Sequence, residues 1–194
     1  MATLTIDRST KDTSIAVTDD NGHTAGTDLG IWDESTAGPK APDGLERIVV
    51  GIGPGSFAGI RSTLAWAIGY ALGRKCEVKG IISAAAFAEE GKRVAVIGDA
   101  RRGKRWIALF DGFSCVKEVF QVDEAALAAN IPDGYNVVSP DDARLGDELR
   151  TAFGEKYSPA PALSAKALAR AYQANPALLV DEPLPVYLNP AVRD

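Results

Sequence analysis

The residues of this chain that could do chemistry are few and of two kinds. The first kind is a glycine-rich loop, GIGPGSFAG at residues 51–59, which follows an apolar stretch and precedes an apolar helix pattern. That context is typical of loops that bind phosphate groups. The second kind is a carboxylate at the end of an apolar stretch, which occurs at Asp7 and again at Asp99. Carboxylates gathered on one sheet can bind the metal ions of a two-metal nuclease.

Other common catalytic groups are scarce. His23 is the only histidine, and it adjoins an Asn-Gly turn signal, where a solvated side chain is the expected role. The two cysteines have neither metal-ligand nor redox spacing. Serine triads and zinc sites built on His and Cys are therefore excluded. We assign no catalytic residue and no metal ligand to this chain.

The glycine loop matches no phosphate-binding motif in full. A Walker A loop needs a second glycine followed by lysine, which no register supplies. Gly53, Gly55 and Ala58 have the spacing of the dinucleotide fingerprint, but Pro54 lacks an amide N–H and no acidic residue ends the next strand. We therefore predict a structural turn. Its residues are Gly53, Pro54, Gly55, Ser56 as the helix cap, Phe57 packed under the turn, and Gly59.

Composition and charge limit the classes of protein to which this chain could belong. The chain has 194 residues, 46% of them apolar, and a formal net charge of −5 at pH 7. No apolar run approaches the roughly 18 residues of a membrane span, so we expect a cytoplasmic protein with no membrane partner. RNA binding by so acidic a chain should be no tighter than about 10⁻⁴ M at physiological salt. The basic run at 101–105 is more typical of a solvated turn than of an RNA contact.

Strand and helix patterns alternate along the chain and repeat once. Aligning residues 4–19 with residues 96–111, a shift of 92 positions, places Asp7 on Asp99. In both segments an apolar stretch ends at the aspartate, and a second apolar stretch follows a short turn. A strand and hairpin followed by strand, helix and strand is the pattern of the actin-like and ribonuclease H-like folds. We predict an α/β, actin-like (ribonuclease H-like) protein with mixed sheets flanked by helices. Its N-terminal lobe is predicted over 1–92, and a truncated C-terminal lobe over 93–194.

The predicted elements follow apolar periodicity and turn signals. In chain order they are a strand at 2–7, a second strand, a turn at 20–22 and a third strand, a loop over 26–44, a strand at 47–53, a helix at 58–74, a strand at 77–82, an alanine-rich helix capped by Ser83, a second strand and hairpin from about 96 to 111, a strand near 114–121, helix signals at 123–130, a strand at 135–139, and helices near 141–153 and 164–174.

Four segments resemble one bacterial family in the family's order. GIGPGSFAGIRSTLAWAIGYALG, followed by VKGIISAAAFAE, is similar to the GPGSFTGLR signature block of the tRNA threonylcarbamoyladenosine biosynthesis family TsaB, also called YeaZ. LTIDRSTKDTSIAV is similar to the family's opening strand, and VIGDARRGKRWIALFD to its Asp-Ala-Arg-Arg-Gly segment. PLPVYLN is similar to its closing Pro-x-Tyr-Leu-Arg. The resemblance covers nearly the whole chain.

The resemblance implies a non-catalytic scaffold or dimerisation subunit in tRNA processing. Such a subunit supports the related transferase TsaD, which attaches threonylcarbamoyl to adenosine 37 of tRNA. The resemblance implies no cofactor on this chain alone, ATP or ADP only at an interface with the partner, and tRNA contacted only indirectly. The partner is either a TsaD-like transferase or a second copy of this chain. Asp7 and Asp99 keep a metal-dependent ribonuclease H-like nuclease as an alternative, and the fold keeps a small actin-like kinase.

The chain departs from the family pattern in three places. Ala58 and Arg8 stand where the family usually has threonine, so any role of those hydroxyl groups is absent. Between residues 24 and 44 the family has a helix that helps to pair it with the transferase, and this segment cannot supply one. The geometry of pairing is therefore expected to differ.

The helix at 58–74 predicts where a partner binds. At 100° per residue its apolar side chains form two faces rather than one, which is typical of a helix buried on both sides. We expect the first face to pack on the sheet through Ile60, Leu64, Ala67, Ile68 and Leu72. Trp66 and Tyr70 point away from that face, and Ala65, Gly69 and Gly73 form a ridge of small residues between the two sides. We expect these residues, with Arg61, to contact the partner; the alternative is that the second lobe of this chain covers them.

Overall fold

The structure of the chain, a computed structural model, describes residues 2–19, 39 and 44–188. It contains two compact units. The first consists of Met1–Ala86 and Ser164–Val186, and the second consists of Phe87–Leu163 and Tyr187–Asp194. The turn predicted at 20–22, the third strand, His23 and nearly all of the loop predicted over 26–44 lie outside the described residues.

The first unit is a sheet with helices packed on it. It begins, in chain order, with β1 (Ala2–Asp7), β2 (Ser14–Thr18), β3 (Leu45–Gly51), α1 (Phe57–Leu72) and β4 (Glu77–Ile81). The strand order is β2-β1-β3-β4, with β1 and β2 antiparallel and β1, β3 and β4 parallel. The last four residues of β3 are buried, as expected for a central strand covered on both faces. The carboxyl ends of three parallel strands therefore meet at one edge of this sheet.

The helix α3 (Ala165–Ala174) belongs to the first unit and packs against β1 and β2. Its Tyr172 hydroxyl lies 3.1 Å from Oγ1 of Thr5, and the backbone N–H of Ala165 donates to Oγ of Ser14 at 2.8 Å. The predicted division at residue 92 therefore differs from the observed one. The first segment of the first unit ends at Ala86, and its second segment begins at Ser164. Contacts such as that between Thr5 and Tyr172, 167 positions apart, hold the two segments together.

The second unit contains a five-stranded sheet. It is formed by β5 (Arg93–Arg101), β6 (Lys104–Asp111), β7 (Ser114–Asp123), β8 (Asn136–Ser139), α2 (Asp142–Phe153) and β9 (Tyr157–Pro159). The strand order is β7-β6-β5-β8-β9. The β5–β6 and β6–β7 pairs are antiparallel, whereas the β5–β8 and β8–β9 pairs are parallel. One face of the sheet packs on α2 through a core that includes Ile97, Ile107, Leu145 and Leu149.

Each unit thus places an antiparallel hairpin beside parallel strands, with β5 and β6 repeating the pairing of β1 and β2. Mixed sheets flanked by helices, arranged in this way, confirm the predicted α/β actin-like fold class. Of the helices that the structure describes, none combines the length and apolar character needed to cross a membrane.

Several short elements differ from the prediction. The alanine-rich segment after β4 is a 3₁₀ helix of five residues, Ser83–Phe87, rather than an α-helix. The helix signals at 123–130 correspond to two 3₁₀ turns, and β9 was not predicted. The proline-rich tail forms no central strand in the described part of the chain; Val180 makes an isolated bridge to Gly80.

Candidate functional site

The carboxyl edge of the first sheet is the place where open α/β sheets bind ligands. Asp7 ends β1 at this edge, and its side chain is completely buried. Its Oδ1 accepts hydrogen bonds from the backbone N–H of Ser9 at 2.7 Å and from the Ser9 hydroxyl at 2.6 Å. Its Oδ2 accepts from the Ser83 hydroxyl at 2.5 Å. We call Asp7, Ser9 and Ser83 the Asp7 cluster.

The Asp7 cluster joins three loops to one another. The Ser83 oxygen accepts a hydrogen bond from the backbone N–H of Gly53 at 3.0 Å, and the Ser56 N–H donates to the Ser9 carbonyl at 2.6 Å. Gly55 lies so close to Ser9 that an added Cβ would sit 2.2 Å from that carbonyl oxygen. The protein's own hydrogen bonds therefore satisfy the polar groups at this edge. Ser83, predicted as a helix cap, instead holds Asp7 to the glycine loop.

Burial raises the pKa of the Asp7 carboxyl above its ordinary value, against the opposing effect of the hydrogen bonds from Ser83 and Ser9. A raised folded-state pKa means that the folded protein binds this proton more tightly than the unfolded chain. The stabilisation is present below the unfolded pKa and is lost as pH rises through the folded pKa.

Asp7→Asn, which mimics the protonated acid, should therefore gain stability relative to the wild type as pH rises from about 4 towards 7. Urea unfolding of both proteins across this range measures the difference, in which the titration of all other groups cancels. If the wild type instead became more stable relative to Asp7→Asn as pH rises, the raised pKa of Asp7 would be contradicted.

The glycine loop begins α1 as a structural turn. Ser56 is the N-cap, and its hydroxyl oxygen accepts a hydrogen bond from the Gly59 N–H at 3.3 Å, as predicted. Phe57 does not pack under the turn: its side chain is 53% exposed, and the Arg61 guanidinium lies over its ring at 4.9 Å. The loop therefore provides a helix start with an aromatic side chain on the outer surface.

The buried face of α1 is rotated relative to the predicted one. Ile60, Leu64 and Ala67 are buried as expected. Ile68 and Leu72, which were also predicted to pack on the sheet, are 47% and 84% exposed. These two predictions were wrong, and Thr63, on the other side of the stripe, is buried instead.

Trp66 and Tyr70 are half-buried and pack against the core of their own unit. Their rings are 5.3 Å apart, and the Arg74 guanidinium lies 4.3 Å from the Tyr70 ring. The premise that these aromatics point away from the sheet therefore does not hold. The other predicted contact residues, Arg61, Ala65, Gly69 and Gly73, are exposed, and contact of the whole set with a partner stays a prediction.

The exposed side of α1 is apolar apart from one arginine. We call this surface the outer face of α1, and it consists of Phe57, Arg61, Ala65, Ile68 and Leu72. Exposed apolar side chains that form a continuous stripe mark a surface for interaction. The predicted interface helix thus presents a suitable surface, shifted around the helix from the predicted one.

The basic run at 101–105 divides between surface and interior. Arg105 is buried, and Glu148 binds its guanidinium through two contacts, Nε–Oε1 at 3.0 Å and Nη2–Oε2 at 2.5 Å. Glu124 contacts the same Nη2 at 2.8 Å. The hydrogen bond to Glu148 contributes most to raising the Arg105 pKa. Arg101 and Arg102 are exposed at the hairpin tip. Arg105 is thus a structural residue.

The part of the chain that the structure describes contains no group of three or more His, Cys, Asp or Glu side chains that could bind a metal ion. Asp7 is enclosed by serines, while Asp99 in the second unit contacts Arg101 and Arg144. Asp7 and Asp99 therefore contact different side chains, and no residue contacts both of them among these partners.

Comparison with known proteins identifies relatives of this architecture. The family described as "TsaD: tRNA N6-adenosine threonylcarbamoyltransferase" matches residues 39–132, just under half of the chain. No curated protein sequence matches.

Two solved structures match over almost their whole length. "YeaZ from Pseudomonas aeruginosa" has a TM-score of 0.68 at 18% identity, covering 96% of this chain and 99% of the other. A second structure, described as an uncharacterized protein with similarity to peptidase YeaZ from Pseudomonas aeruginosa, has a TM-score of 0.67 at 15% identity, covering 97% and 99%. The chain thus has an α/β fold of the actin-like class. More particularly, it has the fold of the YeaZ (TsaB) proteins, which confirms the resemblance at the level of fold.

Sequence reasoning missed the Asp7 cluster and the Arg105 ion pair. A partial signal for the first existed, since an aspartate followed two residues later by serine is typical of a side-chain turn. No local signal joins Ser83 to Asp7, or Glu148 to Arg105, because the partners are 76 and 43 positions apart.

Proposed function

We propose that this chain is a non-catalytic scaffold or dimerisation subunit of a cytoplasmic assembly that forms threonylcarbamoyladenosine in tRNA. The chain binds a TsaD-like transferase, or a second copy of itself, through α1. The outer face of α1 carries this proposal, since Ile68 and Leu72 expose apolar surface on a helix that also begins at the family-like glycine loop. The YeaZ fold and the TsaD family match support the tRNA-modification role.

The Asp7 cluster supports the absence of catalysis by this chain. Every hydrogen-bonding atom of the Asp7 carboxylate already contacts Ser9 or Ser83. No cofactor binds the chain alone in this proposal, and ATP or ADP binds only at an interface with the partner. ATP turnover or nucleic-acid cleavage by the isolated chain, lost in Asp7→Asn, would instead favour the kinase or nuclease alternative.

Peptidase activity, which the similarity of one structural relative to a peptidase suggests, finds little support in this chain. The sequence has one histidine, His23, and the loop GIGPGSFAG lacks the glycine two residues before serine that a nucleophile elbow needs. The scaffold role therefore remains the function that the site supports best.

The test is association through the outer face of α1. Ile68→Glu and Leu72→Glu place a charge in a surface proposed to become buried, and each should weaken association by about 30-fold or more, as expected at a hot spot. The free energy of unfolding of the chain alone should change by less than about 0.5 kcal/mol, because both positions are exposed. Light scattering of the chain, with and without a purified TsaD-type transferase, measures association.

Leu64→Ala is the contrasting variant on the same helix. Leu64 is 6% exposed, so a cavity there should cost about 2 to 5 kcal/mol of unfolding free energy. Wild-type association by both Glu variants would show that the outer face of α1 is not the interface. Threonylcarbamoyladenosine formation by the transferase that proceeds equally well without this chain would overturn the proposed function.

A further inference from the structure

The tip of the hairpin between β5 and β6 carries exposed arginines where a turn favours other residues. The φ angles of Arg101, Arg102 and Gly103 are +68°, +55° and +72°. Consecutive positive φ angles are characteristic of hairpin turns that prefer asparagine and glycine. A non-glycine residue in this region carries a conformational cost, and such costs are concentrated at functional sites. The arginine side chains at this tip therefore call for a role beyond making the turn.

Carboxylates hold two of the guanidinium groups side by side. Oδ2 of Asp99 contacts the guanidinium of Arg101 at 3.2 Å and that of Arg144, from α2, at 2.9 Å. Oδ1 of Asp99 accepts from the Arg101 N–H at 2.7 Å, and Asp141 accepts from the Asp99 N–H at 2.9 Å. The side chain of Asp99 is only 15% exposed, so it is a fixed support for the two arginines.

The third arginine extends the charged surface. Arg102 is exposed, and its side chain has no hydrogen bond or ion pair with any residue in the part of the chain that the structure describes. The side chains of Arg101 and Arg144 are themselves 69% and 52% exposed. One Asp99 carboxylate shared between two guanidiniums leaves donor groups of both available. We call Arg101, Arg102 and Arg144 the arginine tip.

We propose that the arginine tip binds phosphates of an RNA backbone. This inference rests on the proposed function, which brings tRNA to the assembly, and it adds a direct contact where the sequence predicted only an indirect one. All three residues are arginines, whose planar donor forks match phosphate oxygens, rather than lysines. Asp99 orients two of them, Arg101 and Arg144, in advance, so that these two lose less side-chain freedom on binding. In a chain of net charge −5 the contact is weak alone and adds to binding by a partner.

Arg101→Asn/Arg102→Asn separates the turn from the phosphate contact. Asparagine is favoured at positive φ, so the melting temperature should stay the same or rise. Binding of a fluorescent anticodon stem-loop transcript to the chain alone is measured by anisotropy between about 50 and 200 mM salt. The slope of log affinity against log salt should fall by about 1.4 to 1.8, for two lost phosphate contacts.

Lys92→Gln/Arg93→Gln is the matched control. It removes the same charge from the opposite end of β5, about 26 Å away, where both side chains are exposed, as at the arginine tip, and each contacts a carboxylate. Its salt slope should equal that of the wild type. Equal falls in both variants, or no fall in either, would overturn the inference.

A second readout distinguishes RNA from an acidic protein surface. If the arginine-tip variant binds RNA normally but loses association with the transferase, the tip is a protein contact and the inference is wrong. The RNA assay needs no partner, so its failure leaves the proposed function standing. Failure of the proposed function would appear instead in the association assay on the outer face of α1.

Discussion

Replacing Gly51 by alanine should lower the free energy of unfolding by about 3 to 5 kcal/mol, the effect of overpacking combined with broken charged hydrogen bonds. Gly51 ends β3, directly beside the Asp7 carboxylate. An added Cβ would lie 1.7 Å from Oδ2 of Asp7 and 2.9 Å from the Ser83 hydroxyl. Asp7 would have to move, and its hydrogen bonds to Ser9 and Ser83 would be lost in a buried environment. Urea denaturation measures the loss.

Gly69→Ala provides a control of opposite sign. Gly69 lies inside α1, and an added Cβ there would meet nothing within 4 Å. Alanine in a helix interior should raise stability by about 0.5 to 1 kcal/mol. Combining Gly51→Ala with Asp7→Ala should cost much less than the sum of the two separate losses, because the clashing carboxylate is gone and only the Ser83 hydroxyl remains close to the added Cβ. Additive losses in that pair would contradict the proposed steric cause.

Glu148→Ala should destabilise the chain by about 3 to 5 kcal/mol, because it leaves the guanidinium of Arg105 buried without its two-point partner. Nε and Nη2 of Arg105 bind the two oxygens of Glu148, and the Arg105 side chain is 9% exposed. The contacts that remain, with Glu124 and the Lys104 carbonyl, satisfy only part of the guanidinium. Urea unfolding of both proteins at neutral pH checks the value.

Glu124→Ala removes a carboxylate from the same guanidinium at a more exposed position. Glu124 is 54% exposed, so this loss should be below about 1 kcal/mol. Replacing Arg105 and Glu148 together by Met and Leu should cost less than Glu148→Ala, because no unpaired charge remains. Equal losses in the two glutamate variants would show that the two-point contact has no special importance.

These two predictions bear on function because they concern the supports of the proposed surfaces. The Asp7 cluster fixes the loop from which α1 starts, and therefore positions the outer face of α1. Arg105 joins β6 to α2, the helix that contributes Arg144 to the arginine tip. Variants of these supports should lose stability first, whereas variants of the two surfaces should lose association or RNA binding at unchanged stability.

The sequence by itself determined the fold class and the order of most of the long elements that the structure describes. β1 occupies the predicted range, and α1 begins and ends within two residues of its prediction. This succeeded because apolar periodicity, the Ser56 cap and the repeated strand-aspartate-hairpin pattern are local signals. The same local signals excluded a Walker loop, since no register of the glycine loop has its second glycine followed by lysine, and a histidine-dependent site, since the one histidine adjoins a predicted turn.

Tertiary structure alone decided which side of α1 is covered. Ile68 and Leu72 have the residue types of a core, and Trp66 lies on the opposite side of an ideal helical wheel. The helix is apolar almost all round, so its composition cannot fix its rotation about its own axis. That rotation depends on how β3 and β4 lie beneath it, and it leaves Leu72 84% exposed while Trp66 packs on the core.

Tertiary structure likewise decided the roles of the charged and polar residues. Asp7 and Ser83, and Arg105 and Glu148, meet only after the sheets have formed, because each pair joins elements far apart in the chain. The return of α3 to the first unit has the same cause, since its partners on β1 and β2 precede it by some 150 residues. Local sequence fixes the shape of each element, whereas burial and pairing depend on which elements the folded chain brings together.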